Sequence, residues 1–323
     1  QWGEECVNKF NGMWAFGIWD SHERKLFLSR DRMGEKPLFY SFNNGKFIFA
    51  SEQKAILPFL KKVEPSKNFN NLIKNPYLYE GTENTLFSNV YRFPAASNGW
   101  LIDSQLTINK YWSVFDNKIN VPNSYAEQIN FFSELLEDSI SIRMRSDVPI
   151  GTALSGGVDS STIAAYVSKN GNKGGNRISA NWQNAFTACF PGSIMDESSS
   201  ARCISEHLNI NLNEIHIDAS QSIKDIQDYP YMLEEIHEVN PIPHIQLYRR
   251  MRENGVLVTL DGHGGDELFA GYESSILHAI PDNILNFSGL KNVLRTYKDI
   301  HPDSKQFQGM GIFKIILYLL KSE

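Results

Sequence analysis

The sequence predicts a two-domain α/β chain: an antiparallel, aromatic-rich β domain followed by a doubly wound parallel sheet. Three observations predict it. Short strand-like runs bounded by turn residues occupy roughly the first hundred residues. From Val148 onward, apolar runs of strand length alternate with helical periods, the pattern of parallel βα units. The length, 323 residues, suffices for about two domains of ordinary size.

Taken in order, Met13 to Asp20, Lys25 to Arg30, Pro37 to Phe42 and Lys46 to Ser51 read as strands of a meander. Asn44-Gly45 supplies positive φ at both centres of a type I′ hairpin. Every tryptophan except Trp182 falls at or before Trp112, and Trp14, Phe16, Trp19 and Phe39 are expected in the sheet core. From about Pro94 to Tyr125 the pattern thins into Asn, Ser, Pro and Asp and reads as a linker. Ile129, Phe132, Leu136 and Ile140 then recur at helical spacing, ending before Pro149. Val148 to Leu154 reads as a strand, and Ser160 to Ser168 as a helix stopped by Asn170-Gly171. Ala185 to Phe190 is a strand, and Asp196 to Leu208 a helix with Ala201, Ile204 and Leu208 on one face. Glu214 to Ile217 (strand), Ile242 to Glu253 (helix) and Val256 to Leu260 (strand) complete the series. The domains are expected at 1–115 and 116–323.

Composition removes several function classes. With 31 basic against 37 acidic side chains, a net charge of −6, the chain lacks the basic face that nucleic-acid backbones require. Cys6, Cys189 and Cys203 are odd in number and dispersed, which fits a reducing, cytoplasmic setting. Ile312 to Leu320 is too short to span a bilayer and carries Lys314, so no membrane partner is expected. The cysteines form no C-x-x-C, and His237 and His244 lack partners at metal-ligand spacing, so zinc is not expected. Gly171 to Arg177 follows a helix end and reads as a surface loop. The chain opens on Gln1 without an initiator methionine and stops at Glu323, and both ends are expected to be internal to a longer protein.

The chemistry concentrates at the end of the first parallel strand, in Leu154-Ser155-Gly156-Gly157-Val158-Asp159-Ser160-Ser161. A strand stops, two glycines free the backbone of side-chain bulk, and a helix begins, so N–H groups and the positive helix end converge where an anion can sit. Ser155, Ser160 and Ser161 add hydroxyl donors. Asp159 makes sense beside phosphate when a Mg²⁺ lies between them. No lysine stands at the position that the G-x-x-x-x-G-K-[ST] loop requires. S-G-G-x-D-S instead resembles the pyrophosphate-binding loop of enzymes that split ATP between its α and β phosphates; a glycine-rich strand-to-helix turn capped by serine, common in parallel sheets, is the other reading of the same residues. A second glycine-rich turn, Asp261-Gly262-His263-Gly264-Gly265-Asp266-Glu267, also follows a strand. Its acids could complement a helix dipole, which suits Glu267, whereas Asp266 could share Mg²⁺ with Asp159.

These motifs resemble the glutamine-hydrolysing asparagine synthetases. Asn11 to Asp20, Arg30 to Leu38 and Phe49 to Ala55 are similar to the second half of the family's glutaminase domain, and Ser146 to Ser161, Asp196-Glu197-Ser198 and Asp261 to Tyr272 to its synthetase domain. The resemblance implies part of an antiparallel β-sandwich of the N-terminal-nucleophile hydrolase type, then a doubly wound adenine-nucleotide α-hydrolase domain with the pyrophosphate loop. It implies glutamine hydrolysis, adenylylation of the aspartate β-carboxylate and amide transfer, giving asparagine, AMP and pyrophosphate. It places ATP on Leu154 to Ser161, Ala188, Asp196, Asp261 and Gly262, and Mg²⁺ on Asp159 and Asp266. The expected partners are the small molecules aspartate, glutamine or ammonia, and ATP, with a homodimer as an expected assembly. The family's N-terminal cysteine nucleophile and its synthetase lysine have no counterpart in this sequence, Cys6 not being that cysteine, so this chain is expected to bind ATP without hydrolysing glutamine or completing transfer. His263 stands where many members carry an acid or glutamine. Two alternatives stay open: an amidotransferase acting on another carboxylate, such as a sugar acid or a peptide, and a non-catalytic nucleotide-binding homologue.

Overall fold

The computed structural model describes residues 2–300 apart from 77–80, 175–178, 180, 238–240, 273–274, 277–278, 281–282 and 284–285. The chain forms two compact units, Gln1–Phe131 with Ile217–Gln246, and Phe132–His216 with Leu247–Glu323.

The first unit holds β1 (Ala15–Asp20), β2 (Lys25–Arg30), β3 (Phe39–Asn43), β4 (Lys46–Ala50), β5 (Tyr91–Arg92), β6 (Ser97–Ile102) and β7 (Gln105–Lys110). They make two antiparallel sheets, ordered β1-β2-β6-β7 and β4-β3-β5. Leu26, Leu28, Leu38, Tyr40 and Phe93 form their shared core. On the edge strand, Gly17 lets the Phe49 ring lie across β1, where a Cβ would sit 2.8 Å from that ring. Asn44 and Gly45 take φ 51° and 73°, as the hairpin requires. Phe39 is buried and Trp14 and Phe16 are half-buried, but Trp19 is 57% exposed, correcting its expected place in the core. β1 is an edge strand, and its Ile18 is exposed too.

Two further corrections fall in this unit. The expected linker contains the β6–β7 hairpin, whose turn residues Asp103 and Ser104 take φ 46° and 65° without a glycine to announce them. The short α1 (Phe69–Lys74) lies between β4 and β5, and after β7 the chain enters the longer α2 (Tyr125–Arg143), which begins in this unit and ends in the second. The unit also holds a helix absent from the sequence reading, Ala219–Leu233, which forms despite Pro230 inside it. At its end Glu234 adopts φ 59°, and its carboxylate accepts the Gln53 and Lys54 backbone N–H groups, each at 2.6 Å.

The second unit is built on β8 (Ile150–Ala153), β9 (Asn184–Cys189), β10 (Asn211–His216) and β11 (Val258–Thr259), all parallel in the order β10-β9-β8-β11. Its helices include α3 (Val158–Lys173), α4 (Ser198–Leu208), and, counting Ala219–Leu233 as α5, α6 (Ile242–Glu253), α7 (Gly265–Phe269) and α8 (Phe287–Ile300). Successive residues of a strand face opposite ways. Ala185 packs with Ala164 of α3 and Ala201 of α4, whereas Phe186 packs with Leu247 and Met251 of α6, so helices cover both faces of the sheet. α3 runs through Asn170-Gly171 to Lys173, correcting the expected stop. Gly171 serves packing, since a Cβ there would strike the Trp182 ring. No helix among the described residues is long and apolar enough to cross a membrane; Ile312 to Leu320 lies outside them.

Candidate functional site

β8 ends at Ala153, and the Leu154 N–H still donates to Phe186 O at 2.8 Å, with the leucine side chain buried in the core. The chain then turns through Gly156 at φ +88°, where a Cβ would lie 2.5 Å from Ser200 Cβ. Only glycine fits both the backbone angle and the space. Gly157 stands at the α3 N-cap with no side chain accepting from the first-turn N–H groups. These donors therefore remain available to a ligand. Ser155 and Ser160 brace the turn: their hydroxyls lie 3.0 Å apart, Ser160 Oγ accepts from Ser155 N–H at 3.2 Å, and Ser155 Oγ accepts from Gly157 N–H at 3.1 Å. Ser161 Oγ is buried without a partner. The Val158 side chain is exposed, leaving its backbone as the contribution to the turn.

The second glycine-rich turn meets the first. A Cβ on Gly262 would lie 2.7 Å from Ser160 N, and one on Gly265 would strike the Asp159 carboxylate. Asp159 is thus brought against the residue that precedes Asp266. Asp261 is 10% exposed at its side chain and turns inward: Oδ1 accepts from Ala153 N–H at 2.8 Å, and Oδ2 from Tyr248 Oη at 2.7 Å and Thr259 Oγ1 at 3.0 Å. Burial and the adjacent Asp261 carboxylate push the Tyr248 phenol well up. His263 is exposed, with Nδ1 4.0 Å from Asp261 Oδ2. Glu267 accepts from Tyr272 Oη at 2.8 Å, a hydrogen bond that holds its carboxyl below the ordinary range.

Ala188 lies at the carboxyl end of β9, paired with Ile215. Asp196, two residues ahead of the first residue of α4, accepts from Ser198 N–H at 3.2 Å, and the Ser198 backbone and hydroxyl hold its carboxyl down. Tyr248, Thr259 and Ser200 were not singled out by sequence; each is an ordinary residue of a helix or strand until the turns come together. Among the described residues, no three His, Cys, Asp or Glu side chains form a metal-binding group. A cavity of about 1060 Å³ in the first unit contains none of the expected site residues. Its Arg92 and Glu235 are paired with each other.

Residues 132–299 match the asparagine synthase family, and residues 1–112 the glutamine amidotransferase domain. The chain belongs to the asparagine synthase family. A Methanocaldococcus jannaschii protein named as a putative asparagine synthetase (glutamine-hydrolyzing) is 30% identical over 99% of this chain and 59% of that protein. Escherichia coli asparagine synthetase B is 29% identical over 84% of the chain and 45% of that protein, and amidase chry2 of Gibberella zeae 28% identical over 84% and 42%. The chain therefore spans about half the length of these family relatives.

Proposed function

We propose that the chain belongs to a glutamine-dependent asparagine synthetase, a carbon–nitrogen ligase in which the second unit binds ATP and adenylylates the aspartate β-carboxylate. The observation that carries this reading is the contact of Gly262 with the backbone of Asp159 and Ser160, which joins two glycine-rich turns beside uncapped helix N–H groups. Residues 1–115 are assigned to the N-terminal-nucleophile type of glutaminase sandwich and 116–323 to the ATP-pyrophosphatase domain.

A carboxylate oxygen is a poor leaving group. Attack of the aspartate carboxylate on the α-phosphorus breaks the bond to the β-phosphate and releases pyrophosphate. Ammonia from glutamine then attacks the acyl carbon, and AMP leaves with the C–O bonding pair. In this scheme Ser155 to Ser161 hold phosphate oxygens through backbone N–H and hydroxyl groups, while Ala188 meets adenine through its backbone. Gly262 lets the second turn approach without side-chain bulk. Asp196 and Asp261 remain assigned to the nucleotide site, with their carboxylates shaping it.

The donor set suits Mg²⁺: Asp159 and Asp266 stand on neighbouring turns as hard oxygen donors, and phosphate oxygens can complete the shell. When bound, the ion neutralises charge on the departing pyrophosphate. The free, dispersed cysteines support a cytoplasmic setting. Calorimetry of Mg·ATP binding to the chain tests the site: wild type binds and Asp159→Ala weakens it at least about tenfold. Equal affinity of the two would sink the assignment.

The second reading is transfer to another carboxylate; that similar proteins carry names other than asparagine synthetase, amidase chry2 among them, leaves room for a different acceptor. Pyrophosphate release by the whole protein across a panel of acids separates the readings: aspartate alone should support it under the first.

A further inference from the structure

Tyr248 carries no role in any motif, yet it closes a strut between the two glycine-rich turns. Its hydroxyl donates to Asp261 Oδ2 at 2.7 Å, Thr259 Oγ1 donates to the same oxygen at 3.0 Å, and Asp261 Oδ1 receives the Ala153 N–H at 2.8 Å. The carboxylate thus ties α6, the end of β11 and the last residue of β8. Immediately after Ala153 comes the Leu154–Ser161 turn, and immediately after Asp261 comes Gly262, where an added Cβ would lie 2.7 Å from Ser160 N. Both turns are therefore joined to the Asp261 carboxylate, one through Ala153 and the other through Gly262.

We infer that Tyr248 is a positioning residue for the nucleotide turns, acting through Asp261, and that the Asp261 carboxylate works as an internal strut rather than as a ligand of the nucleotide. The inference rests on the ATP reading above for its ligand. Its geometry does not: every atom of the strut is paired within the second unit. A carboxylate already accepting from a backbone amide and two hydroxyls gains little from a further donor, and its negative charge would oppose phosphate. Tyr248→Phe removes one hydroxyl while keeping the ring's packing, so it isolates the hydrogen bond.

The test uses the whole chain and two readouts. Amide hydrogen exchange at Ala153, without nucleotide, should accelerate in Tyr248→Phe by about tenfold, the scale of a lost hydrogen bond to a charged group. The Mg·ATP dissociation constant should rise about three- to tenfold, and Asp261→Asn with Tyr248→Phe should be no weaker than Asp261→Asn alone. Unchanged exchange and affinity in Tyr248→Phe would overturn the strut. A large loss in Asp261→Asn with none in Tyr248→Phe would make Asp261 a direct ligand. If wild type itself fails to bind Mg·ATP, the nucleotide reading falls, and the exchange result still decides whether the strut exists.

Discussion

The Arg30–Asp31 pair of the first unit and the two glycine-rich turns of the second both concentrate polar groups, and they use them oppositely. Arg30 donates to the carbonyls of Lys36, Phe93 and Gly34, at 2.8, 2.6 and 2.6 Å. Asp31, 1% exposed, accepts the backbone N–H groups of Trp14, Met33, Glu35 and Lys36. Tyr111 donates to Arg30 O at 3.0 Å, and burial, with Asp31 nearby, pushes its phenol up to about 12. Every strong group there is spent inside the fold. At the Ser155–Ser161 turn the helix start lacks a side-chain cap and Ser161 Oγ lacks a partner. A polar cluster that satisfies itself is architecture; one that leaves donors open invites a ligand.

The largest expected effect is in the closed cluster. Asp31→Ala removes the buried carboxylate that accepts from four backbone N–H groups and should cost about 3 kcal/mol in urea unfolding; a loss near zero would break the comparison. Glu234→Ala leaves the Gln53 and Lys54 amides without their acceptor and should cost about 2 kcal/mol, with faster exchange of those two amides. Gly262→Ala forces a Cβ toward Ser160 N and should weaken Mg·ATP binding about tenfold or more, leaving exchange around Asp31 unchanged. A coupled change in both places would show that the clusters are not independent.

The smallest effect concerns Asp218, which caps α5. The Ser220 hydroxyl, then the Ser220 and Gln221 N–H groups, hold its carboxyl below the ordinary 3.8. Because the folded pKa is lowered, the cap's stabilisation is present above the unfolded pKa and is lost as pH falls through the folded one. Amide exchange in α5 should therefore rise only in strongly acidic solution, and Asp218→Asn should flatten that dependence.

What could be read from sequence follows from where its signals are local. Asn44-Gly45 announces its hairpin, and Ser155 to Ser161 announces a strand-to-helix turn, because glycine marks the backbone angles. Asp103-Ser104 takes similar angles with side chains that also occur in linkers, so β6 and β7 were hidden. Pro230 masked α5, and Gly171, which reads as a helix stop, is a packing requirement beneath Trp182. The candidate site was legible as two motifs. Its strut was not, because Tyr248, Thr259 and Ala153 lie on separate elements and meet at Asp261 only through the tertiary fold.

The central claim is that the open turns, and not the closed cluster, receive the nucleotide. Amide hydrogen exchange of the whole chain with and without Mg·ATP tests it most directly. Protection should appear at 154–161 and at 261–266, with exchange at 30–36 unchanged. Protection confined to other segments, or none at saturating Mg·ATP, would contradict it.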